Sequence, residues 1–285
     1  MNTPAPVPAG IDVTRPHPAR MYDYYLGGKD HWAADRDAAE QVLGLAPEVR
    51  AIARANRALL TRAVRYLARD KGITQFLDVG TGVPTSPNVH QTAAACASGT
   101  RVVYADSDPV IHAHANALLT GTGTTKIVLA DVRDPAKILA GARDLLDFTQ
   151  PVALLFIAIS HFVPDEDDPA GIVAAYRDAV PSGSFLALSH GTGDFHSAEV
   201  TSAASSAYDG AVAPLVLRPK AAVEEFFDGF MLEQPGLVQA PLWHPDTKPK
   251  PKDLHKIGIY GGVAAKTDRP SRPRFAIIPN GSGCP

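Results

Sequence analysis

Every residue from Val152 to Ile159 is apolar, and the run is closed by Pro151 before it and Ser160 after it. A stretch so short and continuous reads as a strand buried on both faces, the central position of a parallel sheet. Similar segments recur about one helix apart, at Gln75–Val79, Arg101–Ala105, Lys126–Ala130 and Ser184–Leu188. The stretches between them have helical spacing: one from about Pro87, then Pro109–Leu119, Pro135–Leu146 and Pro169–Ala179. Ser86 and Asp168 are placed to cap the helices that open at Pro87 and Pro169. Alternating strands and helices imply an α/β fold, a mostly parallel sheet with helices on both faces.

Further upstream, Asp35–Leu43 and Pro47–Arg69 read as helices. The second carries Val49, Ile52, Ala53, Leu59, Leu60, Val64 and Leu67 on one face, and Gly72 ends it. Downstream, residues 191–218 are rich in Ala, Ser and Gly and break the alternation; they read as a helical cover over the site. Lys220–Asp228 is a helix stopped by Gly229. Leu237–Ala240 and Lys256–Ala264 close the sheet as an antiparallel pair, giving seven strands, and Trp243–Asp253 is a loop rich in proline and lysine. The expected organisation is one domain over 20–266 with a helical lid at 20–70. A proline-rich tail over 1–19 and a second tail over 267–285 flank it.

Composition narrows the function classes. Lys and Arg total 27 against 30 acidic residues, a formal net charge of -3, which leaves no footprint for nucleic acid or an anionic membrane. The apolar runs fall far short of a membrane span, and Met1–Gly10 lacks the pattern of a signal peptide. Cys96 and Cys284 lie too far apart in the sequence to suggest a disulfide framework. A cytoplasmic protein is therefore expected.

The chemistry lies at the carboxyl ends of the strands: Asp78, Asp106, Asp131, Ser160-His161 and Ser189-His190 all fall there, where ligands of open α/β sheets bind. After the first strand comes Asp78-Val79-Gly80-Thr81-Gly82-Val83-Pro84-Thr85. A nicotinamide fingerprint needs a third glycine where Thr85 stands, and a P-loop needs Gly-Lys-Ser/Thr, which is missing. Asp78 would repel a pyrophosphate but attract an amino group. Asp106, ending the second strand, can accept from both hydroxyls of a ribose. A nucleoside with a cationic amino-acid tail and no phosphate meets all of these conditions, and S-adenosylmethionine is such a molecule. A nicotinamide-dependent oxidoreductase is disfavoured by Thr85 and Asp78.

Four segments carry a resemblance. Arg20-Met21-Tyr22-Asp23-Tyr24-Tyr25-Leu26-Gly27-Gly28-Lys29-Asp30, the glycine turn from Phe76 to Thr85, Tyr104-Ala105-Asp106-Ser107-Asp108-Pro109 and His161-Phe162-Val163-Pro164-Asp165 together resemble a bacterial family of S-adenosyl methyltransferases. In that family Gly-Thr-Gly-x-Pro-Thr is the usual form of the turn. The resemblance spans about residues 15–266 and implies a Rossmann-like class I methyltransferase fold. It also implies roles: Asp78 near the methionine amino group, and Gly80, Thr81 and Gly82 along the methionine end. Asp106 would hold the ribose and Ser107 the adenine face. Asp131 would accept from the adenine amino group, the Val132 amide would meet the ring, and Ser160 would sit at the methionine end.

Tyr22 and Tyr25 are lid residues in this reading, since an aromatic face attracts a sulfonium and a closed lid excludes water. Gly27 and Gly28 allow the close turn that would carry Lys29 or Asp30 inward. His161, after the fourth strand, is the expected general base, with His190 as second choice. The acceptor is expected to be a small molecule, given the chain's lack of basic character. A non-catalytic sensor of the same cofactor is the alternative, and it would have its acceptor cavity closed. No metal is expected: only two distant cysteines are present, and His112 and His114 point to different faces of a helix.

Overall fold

A computed structural model describes residues 12–119 and 123–268. Residues 1–11 and 269–285, most of the two expected tails and Cys284 among them, lie outside the described residues.

The central apolar run forms β4 (Ala153–Ile157), flanked by β1 (Gln75–Val79) and β5 (Phe185–Gly191). Beyond β1 lie β2 (Arg101–Asp106) and β3 (Thr125–Leu129), and all five strands are parallel. Leu155 packs into one core with Phe76, Val102 and Leu59, while Leu154 and Phe156 pack into the other with Leu77, Val103 and Tyr176. This division is why the run has no polar position: the side chains from Ala153 to Phe156 alternate between two dry layers.

The far edge differs from expectation. An antiparallel strand, β8 (Ile259–Lys266), lies against β5 from Phe185↔Ala265 to Gly191↔Ile259. It is bordered by β6 (Phe230–Leu232) and, toward its other end, by β7 (Val238–Gln239). The sheet thus has eight strands, ordered β3-β2-β1-β4-β5-β8-β6 with β7 also on β8, rather than seven. The strand missed is β6. It is three residues long, and its Met231 is largely exposed, so it shows neither a continuous apolar run nor a clean alternation.

Three helices precede the sheet: α1 (Pro18–Leu26), α2 (Ala33–Leu45) and α3 (Val49–Arg69). α1 has proline in its first turn and His17 as N-cap, and it stops at Gly27, whose φ of 84° is the left-handed conformation that glycine adopts freely. The helix after β1 is α4 (Val89–Ala94). It opens two residues later than expected, because extended Asn88 rather than Ser86 is the N-cap and its N–H is taken by Gln91 Oε1 at 2.7 Å. α5 (Pro109–Leu119), α6 (Pro135–Ala142) and α7 (Pro169–Asp178) follow β2, β3 and β4.

Within residues 191–218 a single helix forms, α8 (Ala198–Ser206). Tyr208 and Ala211, just beyond it, join Met21, Tyr25, Ala39, Val42 and Ala53 in a third apolar cluster. That cluster fastens the segment to the N-terminal helices above the sheet's carboxyl edge. α9 (Lys220–Glu224) gives way to a 3-10 turn at Glu225–Phe227. The expected loop after Trp243 holds α10 (Pro251–Leu254), and it starts from a fully buried Trp243. Arg62 of α3 fixes that start, donating to the carbonyls of Trp243 at 2.9 Å and Ala240 at 2.8 Å.

Candidate active site

The turn after β1 is pinned to β2. Gly80 and Thr81 both donate their N–H to the carbonyl of Ala105, at 2.8 and 3.1 Å. Gly80 has φ 70°, and a Cβ there would lie 2.4 Å from the Ile159 side chain, so only glycine fits. Thr81 Oγ1 donates to Asp78 Oδ2 at 2.9 Å. Asp106 accepts the Gly82 N–H on Oδ2 and the Asp108 N–H on Oδ1, each at 2.9 Å. A carboxylate oxygen has room for two acceptor bonds. One place therefore remains on each Asp106 oxygen, which is what a pair of vicinal hydroxyls requires.

Burial pushes both Asp78 and Asp106 up to about 6, with the Thr81 hydroxyl partly offsetting this at Asp78 and the Asp108 and Gly82 amides at Asp106. These carboxylates are short of donors, and a ligand bringing hydroxyl or ammonium protons would relieve them. Asp131 stands in the opposite condition. Arg133 grips it through Nε, Nη2 and its own N–H, holding the carboxyl below the usual range.

A cavity of about 460 Å³ lies over this edge, within the range of roughly 300–1,000 Å³ usual for small-molecule sites. Asp78, Gly80, Thr81, Gly82, Asp106, Ser107, Asp131, Val132 and Tyr22 all line it. So do three residues that the sequence reading did not single out, Asn56, Arg57 and Arg20. Buried Arg20 of α1 brings Nε to 3.5 Å from Asp35 and 3.6 Å from Asp108, tying α1 to the loop after β2.

A second cavity of about 120 Å³ adjoins the first, and Tyr22, Asn56, Ala158 and Phe162 line both. The shared wall is a hydrogen-bonded chain. Tyr22 donates to the Ala53 carbonyl at 2.9 Å and accepts from Asn56 Nδ2 at 3.0 Å, and Asn56 Oδ1 accepts from Ser189 Oγ at 2.6 Å. Ser189 Oγ in turn accepts the N–H of Ala158 at 2.9 Å. That last bond helps hold Ala158 at φ 56°, a conformation costing an alanine about 1–3 kcal/mol. In the sequence, Asn56 betrays itself only as a polar residue on the buried face of α3.

Three expected cofactor-site residues fall elsewhere. Tyr25 lines the second cavity and not the first, with its hydroxyl 3.3 Å from that of Tyr208. Gly28 lines neither: its N–H bonds the Asp23 carbonyl, and a Cβ there would run into the Asp23 carboxylate, so it serves the turn. Ser160 is buried behind the wall, its carbonyl accepting from Arg218 at 3.1 Å, while Ile157, Ala158 and Ile159 face the first cavity in its place.

His161 does line the second cavity, but its Nδ1 accepts the Gly191 N–H at 3.0 Å. The neutral ring therefore carries its proton on Nε2 and can donate there, not accept. Burial, then His190 and Arg218, hold it neutral. His190 is buried too, bonded to the Gly191 carbonyl through Nδ1 at 2.7 Å and to Arg218 through Nε2 at 3.0 Å, and burial lowers it to about 4. Arg218, invisible as a site residue in the sequence, also holds Asp165 and the Val163 carbonyl, so it fastens the loop after β4. No metal-binding cluster of acidic, His or Cys side chains exists among the described residues.

A family model described as S-adenosyl methyltransferase matches residues 4–267. The chain belongs to that family. This methyltransferase is 45% identical to a DUF574 family protein from Streptomyces avermitilis, with a TM-score of 0.85 over 90% of this chain and 99% of the other. It is 35% identical to a protein from Thermobifida fusca assigned as a methyltransferase, with a TM-score of 0.86 over 93% and 99%. At the level of fold alone, it resembles the plantazolicin methyltransferase BamL, with 9% identity and a TM-score of 0.50 over 87% and 95%. No curated protein matches the sequence.

S-adenosylmethionine is the cofactor of this methyltransferase. The residues fit it: the two half-satisfied carboxylates suit an ammonium and a ribose, and the Gly80 cradle admits no Cβ.

Proposed function

We propose that this methyltransferase binds S-adenosylmethionine in the larger cavity and passes its methyl group to a small molecule in the cytoplasm. The observation that carries this reading is the Asp106 carboxylate, buried with one acceptor place left on each oxygen. When bound, the cofactor supplies a methyl carbon already activated by a sulfonium sulfur. The chain has to bind, align and dehydrate.

Asp106 takes the ribose hydroxyls, Asp78 faces the amino group, and Ser107, Asp131 and Val132 meet the adenine. Tyr22 serves as a wall rather than a swinging lid, because both sides of its hydroxyl are engaged by α3. A small acceptor agrees with the balanced charge and with the modest cavity beside the first. No helix among the described residues is long and apolar enough to cross a membrane. The open second cavity speaks against a non-catalytic sensor.

Calorimetric titration of Asp106→Ala with S-adenosylhomocysteine tests the assignment. Charged hydrogen bonds are worth about 1.5–3 kcal/mol each, so affinity should fall about tenfold or more. Unchanged affinity would remove Asp106 from the site.

A further inference from the structure

The second cavity has a built polar corner that the cofactor reading leaves unused. Glu48, at the N-terminus of α3, and His196, in the loop after β5, both line it. His196 Nε2 is buried, forms no well-aligned hydrogen bond, and lies 3.3 Å from Glu48 Oε1. Its Nδ1 has no hydrogen bond among the described residues, so a proton held toward Glu48 on Nε2 leaves a lone pair on Nδ1. This is the arrangement of a histidine base with an orienting carboxylate, and His161 cannot supply it.

Size and chemistry limit the occupant. Apart from that corner, the walls are mostly apolar, Val42, Val49, Ile52, Leu217 and Ile259 among them. Their volume of about 120 Å³ is close to that of an engineered apolar cavity of about 150 Å³ that holds benzene. The cavity meets the cofactor cavity at Tyr22, Asn56, Ala158 and Phe162.

We infer that the second cavity is the methyl-acceptor site, that it takes a molecule presenting a single apolar ring with an ionisable hydroxyl or amine, and that His196, oriented by Glu48, is the general base. This rests on the cofactor occupying the larger cavity. For a hydroxyl acceptor, His196 Nδ1 takes the O–H proton as the oxygen bonds the methyl carbon. The carbon–sulfur bond breaks with its electron pair kept by sulfur, so the sulfonium becomes a neutral thioether and His196 an imidazolium beside Glu48. The other titratable groups around the cavity are His161, Tyr22, Tyr25 and Tyr208. Asp194, two residues from His196, is engaged by the Tyr260 hydroxyl and the Lys220 amide.

Phenol is the probe, titrated into protein saturated with S-adenosylhomocysteine. Failure of the wild type to bind S-adenosylhomocysteine would strike the cofactor reading itself. With the cofactor product bound, phenol should saturate one site, and Ala204→Phe, which fills the cavity from α8, should abolish this while S-adenosylhomocysteine affinity stays within about twofold. Ala204→Leu replaces it if the larger side chain prevents folding. No saturable phenol binding, or equal binding in these variants, overturns the acceptor site. Methylation of phenol then reads the base. His196→Gln should lose about 10²-fold at pH 7, and its rate should climb about tenfold per pH unit toward pH 9 as phenolate forms unaided. The wild-type rate should change much less, and Glu48→Gln should shift the profile in the same direction as His196→Gln. Parallel profiles for wild type and His196→Gln would reject the base.

Discussion

Asn56 Nδ2 donates to the Tyr22 hydroxyl across 3.0 Å, joining α1 to α3 at the wall that the two cavities share. The bond closes a chain that runs on through Ser189 to the strained backbone of Ala158. The N-terminal helices α1 and α3 are thereby registered against the carboxyl edge of the sheet.

Asn56→Leu keeps the volume and removes both bonds. The Ser189 hydroxyl then loses its acceptor in a buried place, at a cost of about 1–3 kcal/mol. Urea denaturation should show a loss of that size, with weaker S-adenosylhomocysteine binding. Tyr22→Phe, which keeps the ring as a wall, should cost less in both assays. The reverse order would mean that the ring hydroxyl, and not Asn56, organises the wall.

Two glycines of one turn should respond differently to alanine. At Gly80 the new Cβ combines positive φ with a 2.4 Å clash against Ile159, whereas at Gly82 the nearest atom is Ala19 Cβ at 3.8 Å and only φ of 67° opposes it. Strain of this kind costs about 1–3 kcal/mol, and overpacking adds a similar amount. Thermal denaturation should therefore rank Gly80→Ala well below Gly82→Ala, and adding Ile159→Ala should restore part of the difference. Equal losses would show that the clash is relieved by movement of the loop.

Cofactor binding should release protons below pH 6. Burial raises Asp78 and Asp106 from 3.8 to about 6, so the ligand-free protein holds protons on them between those values that the unfolded chain has lost. This term makes the ligand-free fold less stable as pH rises from about 4 to 6. The ribose hydroxyls and the amino group favour the ionised carboxylates. Affinity for S-adenosylhomocysteine should accordingly rise from pH 4 to 6 and then level, and titration at pH 5.5 in buffers of different ionisation heat should register proton release. Proton uptake would contradict these roles.

Much of the fold was legible because its decisive signals are local. A doubly buried strand such as β4 has no polar position, and Gly80 and Asp106 sit where turn and strand-end chemistry can be read without neighbours. The short β6 escaped because three residues with Met231 exposed carry no pattern. His161 was misread for a different reason: which of its nitrogens is free depends on the Gly191 amide, thirty positions on. Arg218, Asn56 and the Glu48–His196 pair depend likewise on contacts between distant segments. Their residue types alone could not distinguish them from ordinary polar side chains.

Titration of the wild-type protein with S-adenosylhomocysteine, with NAD as the control, tests the central claim most directly. One-site binding of S-adenosylhomocysteine, with none of NAD, is the expected result. Binding of NAD in preference, or no binding of S-adenosylhomocysteine, would contradict the placement of the cofactor over Asp78, Gly80 and Asp106.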